Sequence, residues 1–143
     1  MKITFIAEIG MNHNGNFGLL HELIKQAALS NAHIAKFQLG WRDGKDEINN
    51  IDDTTIELIL RLCKFYSIEP MFSIIKENAY EKIRKYNIKK YKIASRTVIE
   101  NPNLVKNILS EGKETYLSLG MWTKQKKPFT EFKNIKYLWC KSL

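Results

Sequence analysis

The sequence predicts an α/β fold built on a parallel sheet of the (β/α) barrel type. Two observations lead there: six short β-type runs alternate with amphipathic helical runs, and the polar groups that chemistry could use fall at the carboxyl ends of the runs. A third narrows the choice. No Gly-x-Gly-x-x-Gly follows the first run and no Gly-x-x-x-x-Gly-Lys occurs, so neither a dinucleotide fold nor a P-loop is indicated.

The predicted strands are Ile3–Ile9, His33–Leu39, Pro70–Ile75, Lys90–Ser95, Thr115–Leu119 and Ile135–Lys141. Leu20, Leu23, Ile24, Ala27 and Ala28 give the first helix one apolar stripe. Asp52 or Asp53 can cap the second, whose stripe is Ile56, Ile59, Leu60 and Cys63. A weaker third helix covers about Asn78–Tyr86, with Ala79, Ile83 and Tyr86 on one side. The fourth is punctuated by Asn101 as N-cap, Pro102 at the first helical position and Gly112 past the end, around Leu104, Val105, Ile108 and Leu109. Met121–Asn134 bears a proline and many charges, and no full helix is expected there.

With 143 residues the chain is long enough for one domain with a real core. No apolar run reaches the roughly 20 residues of a membrane span, and Met1 leads directly into a strand with no signal-peptide pattern, so a cytoplasmic protein is expected. Cys63 and Cys140 lack metal-site spacing and lie in apolar runs, which predicts two buried free thiols. The net charge of +8 raises the question of nucleic acid. Yet the lysines are scattered along helices (Lys25, Lys64, Lys82, Lys85, Lys106), and only Lys124-Gln125-Lys126-Lys127 forms a run, so no nucleic-acid partner is expected.

The chemistry-bearing groups at strand ends are Glu8; Lys36 and Gln38; Ser73; Lys92 and Ser95; Ser118; and Ser142. Barrel enzymes build their sites at that face. Period-two geometry puts Lys36 and Gln38 on one face with Ile34, and Lys92 is placed likewise. An inward lysine is costly unless paired. Two readings stay open: an anion-binding cluster of two lysines with Glu8, or lysines that reach the strand end while Glu8 neutralises one of them. Trp41, Arg42 and Trp122 follow strand ends and could line a sugar or cover the helical ring. The turn Gly10-Met11-Asn12-His13-Asn14-Gly15 adds one histidine near the first strand end, read as a hydrogen-bonding residue rather than a metal ligand.

Five segments together resemble the N-terminal barrel of the sialic acid (N-acetylneuraminate) synthase family. They are Ala7-Glu8-Ile9-Gly10-Met11-Asn12-His13-Asn14-Gly15, Lys36-Phe37-Gln38, Tyr91-Lys92-Ile93-Ala94-Ser95, Leu117-Ser118-Leu119-Gly120-Met121 and Leu138-Trp139-Cys140-Lys141-Ser142, in order and spacing. The residues around Asn12-His13 and Phe37 set it apart from the pseudaminate branch. The resemblance implies a metal-dependent condensation of phosphoenolpyruvate with an open-chain N-acylated aminosugar, giving a nonulosonic acid of the kind used in cell-surface polysaccharides. In that scheme Glu8, Lys36 and Lys92 are catalytic. Gln38, Ser73, Ser95, Ser118, Ser142 and Asn12 hold the substrates.

The resemblance also implies a divalent cation, manganese or magnesium, and a homodimeric enzyme completed by a C-terminal antifreeze-like domain. Two departures accompany it. Thr97 stands where many members have a glutamate, and Leu143 falls where the family continues with Tyr-Pro-Thr towards the strands that carry its two metal-binding histidines. The resemblance therefore implies an incomplete TIM-type barrel with about six of eight parallel strands, since a whole barrel takes about 250 residues. Such a chain is expected to be inactive alone. The alternative is a remnant that binds an anion, or serves in assembly, without catalysis.

Overall fold

The computed structural model describes residues 3–42, 44 and 46–140. Among the described residues five helices and six strands follow one another as β1 (Ile6–Gly10), α1 (Phe17–Leu29), β2 (Ile34–Leu39), α2 (Asp53–Phe65), β3 (Glu69–Ile74), α3 (Glu77–Ile83), β4 (Lys90–Ile93), α4 (Ser95–Glu100), α5 (Pro102–Ser110), β5 (Glu114–Ser118) and β6 (Ile135–Leu138). The strands take chain order in one sheet, and the β1/β2, β4/β5 and β5/β6 pairs are parallel. Two compact units divide the chain, Met1–Phe72 and Ser73–Leu143.

In the first unit, α1 packs on β1, β2 and α2. The Asn16 side chain accepts from the Leu19 amide at 3.0 Å, and Asp52 accepts from the Thr55 amide at 2.8 Å, so each helix satisfies one of its orphan donors. Asp52, not Asp53, is the cap of α2. The α1 stripe buries Leu20, Ile24 and Ala27, with Leu23 and Ala28 at its half-buried margin. The α2 stripe buries Ile56, Ile59 and Cys63. Phe37 and Phe72, both fully buried, meet with ring centroids 5.4 Å apart.

Gly15 closes the β1–α1 turn in the left-handed region (φ +69), and a Cβ there would lie 2.5 Å from the Ile48 carbonyl oxygen. The backbone conformation and the close approach both demand glycine. Gly15→Ala should lower stability by about 2–3 kcal/mol, read as a shifted urea midpoint with an unchanged slope; an unshifted midpoint would show that the 48–49 loop yields freely.

In the second unit, α4 packs on α5 and β5. Asn101 caps α5 by accepting from the Leu104 amide at 3.1 Å, Pro102 begins it, and Gly112 follows with φ +74. The expected third helix is shorter than Asn78–Tyr86. It ends at Ile83 and buries Tyr80, with Tyr86 only half-buried, because Tyr80 finds a hydrogen-bond partner in Glu111. The fourth predicted strand also ends early. β4 stops at Ile93, and Ser95 opens a helix that Val98 joins by donating its amide to the Ala94 carbonyl at 3.1 Å.

Met121–Asn134 forms no helix. Cys63 is buried as expected, but Cys140 is exposed, because β6 ends at Leu138 and leaves Trp139 and Cys140 uncovered. No helix among the described residues is long and apolar enough to cross a membrane.

Candidate active site

In the first unit the site is built from the carboxyl ends of β1 and β2. Glu8 and Lys36 are register partners across the parallel pair, and the register shifts between Glu8 and Gly10. The Lys36 ammonium and the Glu8 carboxylate form an ion pair. The lysine side chain is only 9% exposed and the glutamate 57%, so the pair is a buried cation served by a carboxylate that opens to solvent. This meets the cost of an inward lysine, and it leaves one face of the carboxylate free to meet a ligand.

Gly10, with φ +56, makes the bulge possible. A Cβ on it would stand 3.4 Å from Glu8 Oε1 and 3.9 Å from Gln38 Cδ, which places the Glu8 carboxylate and the Gln38 amide around the same point of backbone. Asn12 is exposed, and its amide donates to the Ile9 carbonyl at 3.0 Å.

His13 is the residue whose surroundings the sequence did not disclose. It is 3% exposed, its Nδ1 accepts from the Gly15 amide at 3.2 Å, and burial holds its pKa below the usual imidazole range. The ring is therefore neutral with its proton on Nε2. That Nε2 is buried with no hydrogen-bond partner, as is Oδ1 of Asn49 in the loop after β2. A buried imidazole in a turn of small polar residues carries no distinguishing sequence signal, and the reading of His13 as a hydrogen-bonding residue holds for one nitrogen only.

In the second unit Ser73 lies in β3, Lys92 is half-buried in β4, Ser95 is the first residue of α4 and Ser118 is the last of β5. Ser73, Ser95 and Ser118 are buried. Ser118 Oγ lies 2.9 Å from Cys140 Sγ, a contact not anticipated from sequence, which the parallel register of β5 and β6 brings about. Thr97 is buried and donates its hydroxyl to the Ile75 carbonyl at 3.3 Å, fastening α4 to the end of β3. Ser142 lies outside the described residues.

Among the described residues no set fits the divalent cation that the resemblance implies. Among the described residues no group of three or more His, Cys, Asp and Glu side chains could hold one, and His13 commits Nδ1 to the backbone.

The model of the NeuB family matches residues 46–128, more than half of the sequence. The chain belongs to the NeuB family. Among curated proteins none matches the sequence. The N-acetylneuraminic acid (sialic acid) synthetase of Leptospira borgpetersenii serovar Hardjo-bovis, solved in complex with citrate, superimposes with a TM-score of 0.84 and 20% identity. The match covers 100% of this chain and 55% of that one, so the NeuB-family chain spans about half the length of the synthetase it resembles. Phospho-2-dehydro-3-deoxyheptonate aldolase of Thermotoga maritima matches with a TM-score of 0.68 and 14% identity, over 85% of this chain and 34% of that one. At these identities the likeness is one of fold, and that fold is of the TIM-barrel type, as the alternating strands and helices predict.

Proposed function

We propose that this NeuB-family chain carries phosphoenolpyruvate-binding and aminosugar-facing residues of a nonulosonic acid synthase, and that the 143-residue chain by itself binds phosphoenolpyruvate without turning it over. In the reaction, the methylene carbon of phosphoenolpyruvate forms a bond to the aldehyde carbon of an N-acylated aminosugar. Water adds to the oxocarbenium carbon that results, and the C–O bond to phosphate breaks.

In the first unit, Glu8 serves the sugar end and the attacking water, Asn12 the sugar, and Lys36 and Gln38 contact phosphoenolpyruvate. In the second, Lys92 supplies charge to the phosphate and carboxylate, and Ser73, Ser95 and Ser118, together with Ser142, supply hydroxyl donors without further charge. The observation that carries the reading is the in-register Glu8–Lys36 pair with the Gln38 amide beside it, in a chain of this family.

Two measurements test this. Calorimetric titration of the chain with phosphoenolpyruvate should show saturable binding that Lys92→Ala weakens at least about 100-fold, while circular dichroism confirms that the variant is folded; unchanged affinity would remove Lys92 from the site. Incubation with phosphoenolpyruvate, N-acetylmannosamine and manganese should release no phosphate and form no sugar acid. Product formation would refute the inactivity.

A further inference from the structure

The second unit holds a groove to which the proposed chemistry gives no role. It has a volume of about 400 Å³ and lies between α4, the start of α5 and the β5–β6 connection. Its apolar wall is Val98, Ile99, Met121, Trp122 and Phe129. Lys106 and Lys124 also line it, and no Asp or Glu is among the described lining residues.

The wall formed by the connection is held in place although it has no regular structure. The Trp122 indole N–H donates to the Lys126 carbonyl at 2.9 Å, and the Trp122 amide donates to the Leu119 carbonyl at 2.9 Å. The Tyr137 hydroxyl donates to the Pro128 carbonyl, tying the connection to β6. Lys124 Nζ stands 5.4 Å from the centroid of the Trp122 ring. Phe129 sits at φ +56, a left-handed conformation that a bulky residue rarely adopts and that tends to occur at ligand-binding positions.

From these features we infer that the groove is a binding site for a small organic anion with a flat apolar body, of the class of aromatic carboxylates. The size is that of a small-molecule site, apolar with a few polar groups to fix orientation. Two cations without a lining carboxylate select negative charge. A sugar does not suit it: the indole N–H is already spent on Lys126, and the Thr123 hydroxyl is the one uncharged side-chain hydrogen-bonding group left among the described lining residues. This separates Trp122 from the sugar-lining role that its place after β5 suggests. The inference does not depend on the synthase reading.

The test follows the three indole N–H signals of the ¹⁵N-labelled chain, with Trp122 assigned through Trp122→Phe, during titration with phenylacetate. The Trp122 signal alone should shift saturably, with half-saturation below about 1 mM. Phenylacetamide, the same shape without the charge, should bind at least about tenfold more weakly, and N-acetylmannosamine should shift nothing. Lys106→Gln should weaken phenylacetate about fivefold. Met121→Trp and Ile99→Trp should block it; those positions are 41% and 47% exposed, so the larger side chain can be accommodated without disturbing the core. Equal binding of acid and amide, parallel shifts of all three indoles, a response to N-acetylmannosamine, or undiminished binding in both blocking variants would each overturn the proposal.

Discussion

Glu8→Ala should cost the fold about 2–3 kcal/mol, a large loss for a residue whose side chain is more than half exposed. The cause lies in its partner. Lys36 keeps only 9% of its side chain accessible, and without the carboxylate its ammonium is a buried charge with its counter-ion removed. Breaking a fully buried pair costs about 3–5 kcal/mol; the exposure of Glu8 brings the figure down, since water can reach the vacated position.

Lys36→Met alone removes the charge and leaves an exposed carboxylate, which is cheap, so it should be the milder single change. The double variant Glu8→Ala/Lys36→Met should return to within about 1 kcal/mol of the parent, because an apolar isostere replaces a desolvated charge. A double-mutant cycle from urea unfolding measures this coupling. Additive single effects would mean that the pair contributes nothing to stability. Under the synthase reading, the double variant, though stable, should bind no phosphoenolpyruvate; retained binding would assign the pair to structure alone.

The alternation of β-type and helical runs made the fold legible, because burial on both faces of a parallel sheet leaves apolar runs that are easily recognised. Asn101-Pro102 and Gly112 marked the ends of α5, since capping and left-handed backbone are decided by adjacent residues. α4 was illegible for a physical reason. Ser95-Arg96-Thr97-Val98-Ile99-Glu100 is rich in β-branched residues and its first residue falls in the predicted strand Lys90–Ser95, so only tertiary contacts, the burial of Thr97 and Val98 and the Thr97 bond to Ile75, decide for helix.

Lys36 and Glu8 could be matched in sequence by period and strand position, but the register that pairs them is set between β1 and β2, and no local pattern announces it. The solitude of His13 Nε2 was likewise unreadable, because a missing partner is a property of the whole surrounding shell. Cys140 shows the converse error. The apolar run around it predicts burial, but the strand ends two residues earlier and leaves the thiol exposed.

Glu111→Ala should be the most damaging change outside the apolar core, at about 3 kcal/mol, or roughly 6–12 °C in Tm for a chain of this size. Glu111, the C-cap of α5, gathers three partners. The Tyr80 hydroxyl donates to Oε1 at 2.6 Å, Lys113 Nζ approaches Oε2 at 2.8 Å, and the fully buried Tyr91 donates its hydroxyl to Oε2 at 3.4 Å. The cluster lies at the amino ends of β4 and β5, the side of such folds that serves stability rather than catalysis.

Burial alone would raise the Glu111 carboxyl, but hydrogen bonds from Lys113 and Tyr80 and the Lys113 charge outweigh it and hold its pKa below the usual carboxylate range. A depressed folded-state pKa gives stability that is present above the unfolded value of about 4.5 and is lost as pH falls through the folded one. At the other end, burial and the Glu111 bond raise the Tyr80 hydroxyl, and burial raises that of Tyr91. Burial would lower Lys113, yet its bonds to Glu111 and Tyr91 raise it. These three contributions are complete below the unfolded values near 10 and are lost as pH rises through the raised ones.

The Tm of the parent should therefore fall on both sides of a plateau between about pH 5 and 10. Glu111→Ala should start lower and lose part of each limb, the acid one because its titrating carboxyl is gone. Acid and alkaline limbs of unchanged slope in the variant would show that other groups set the pH limits of this fold.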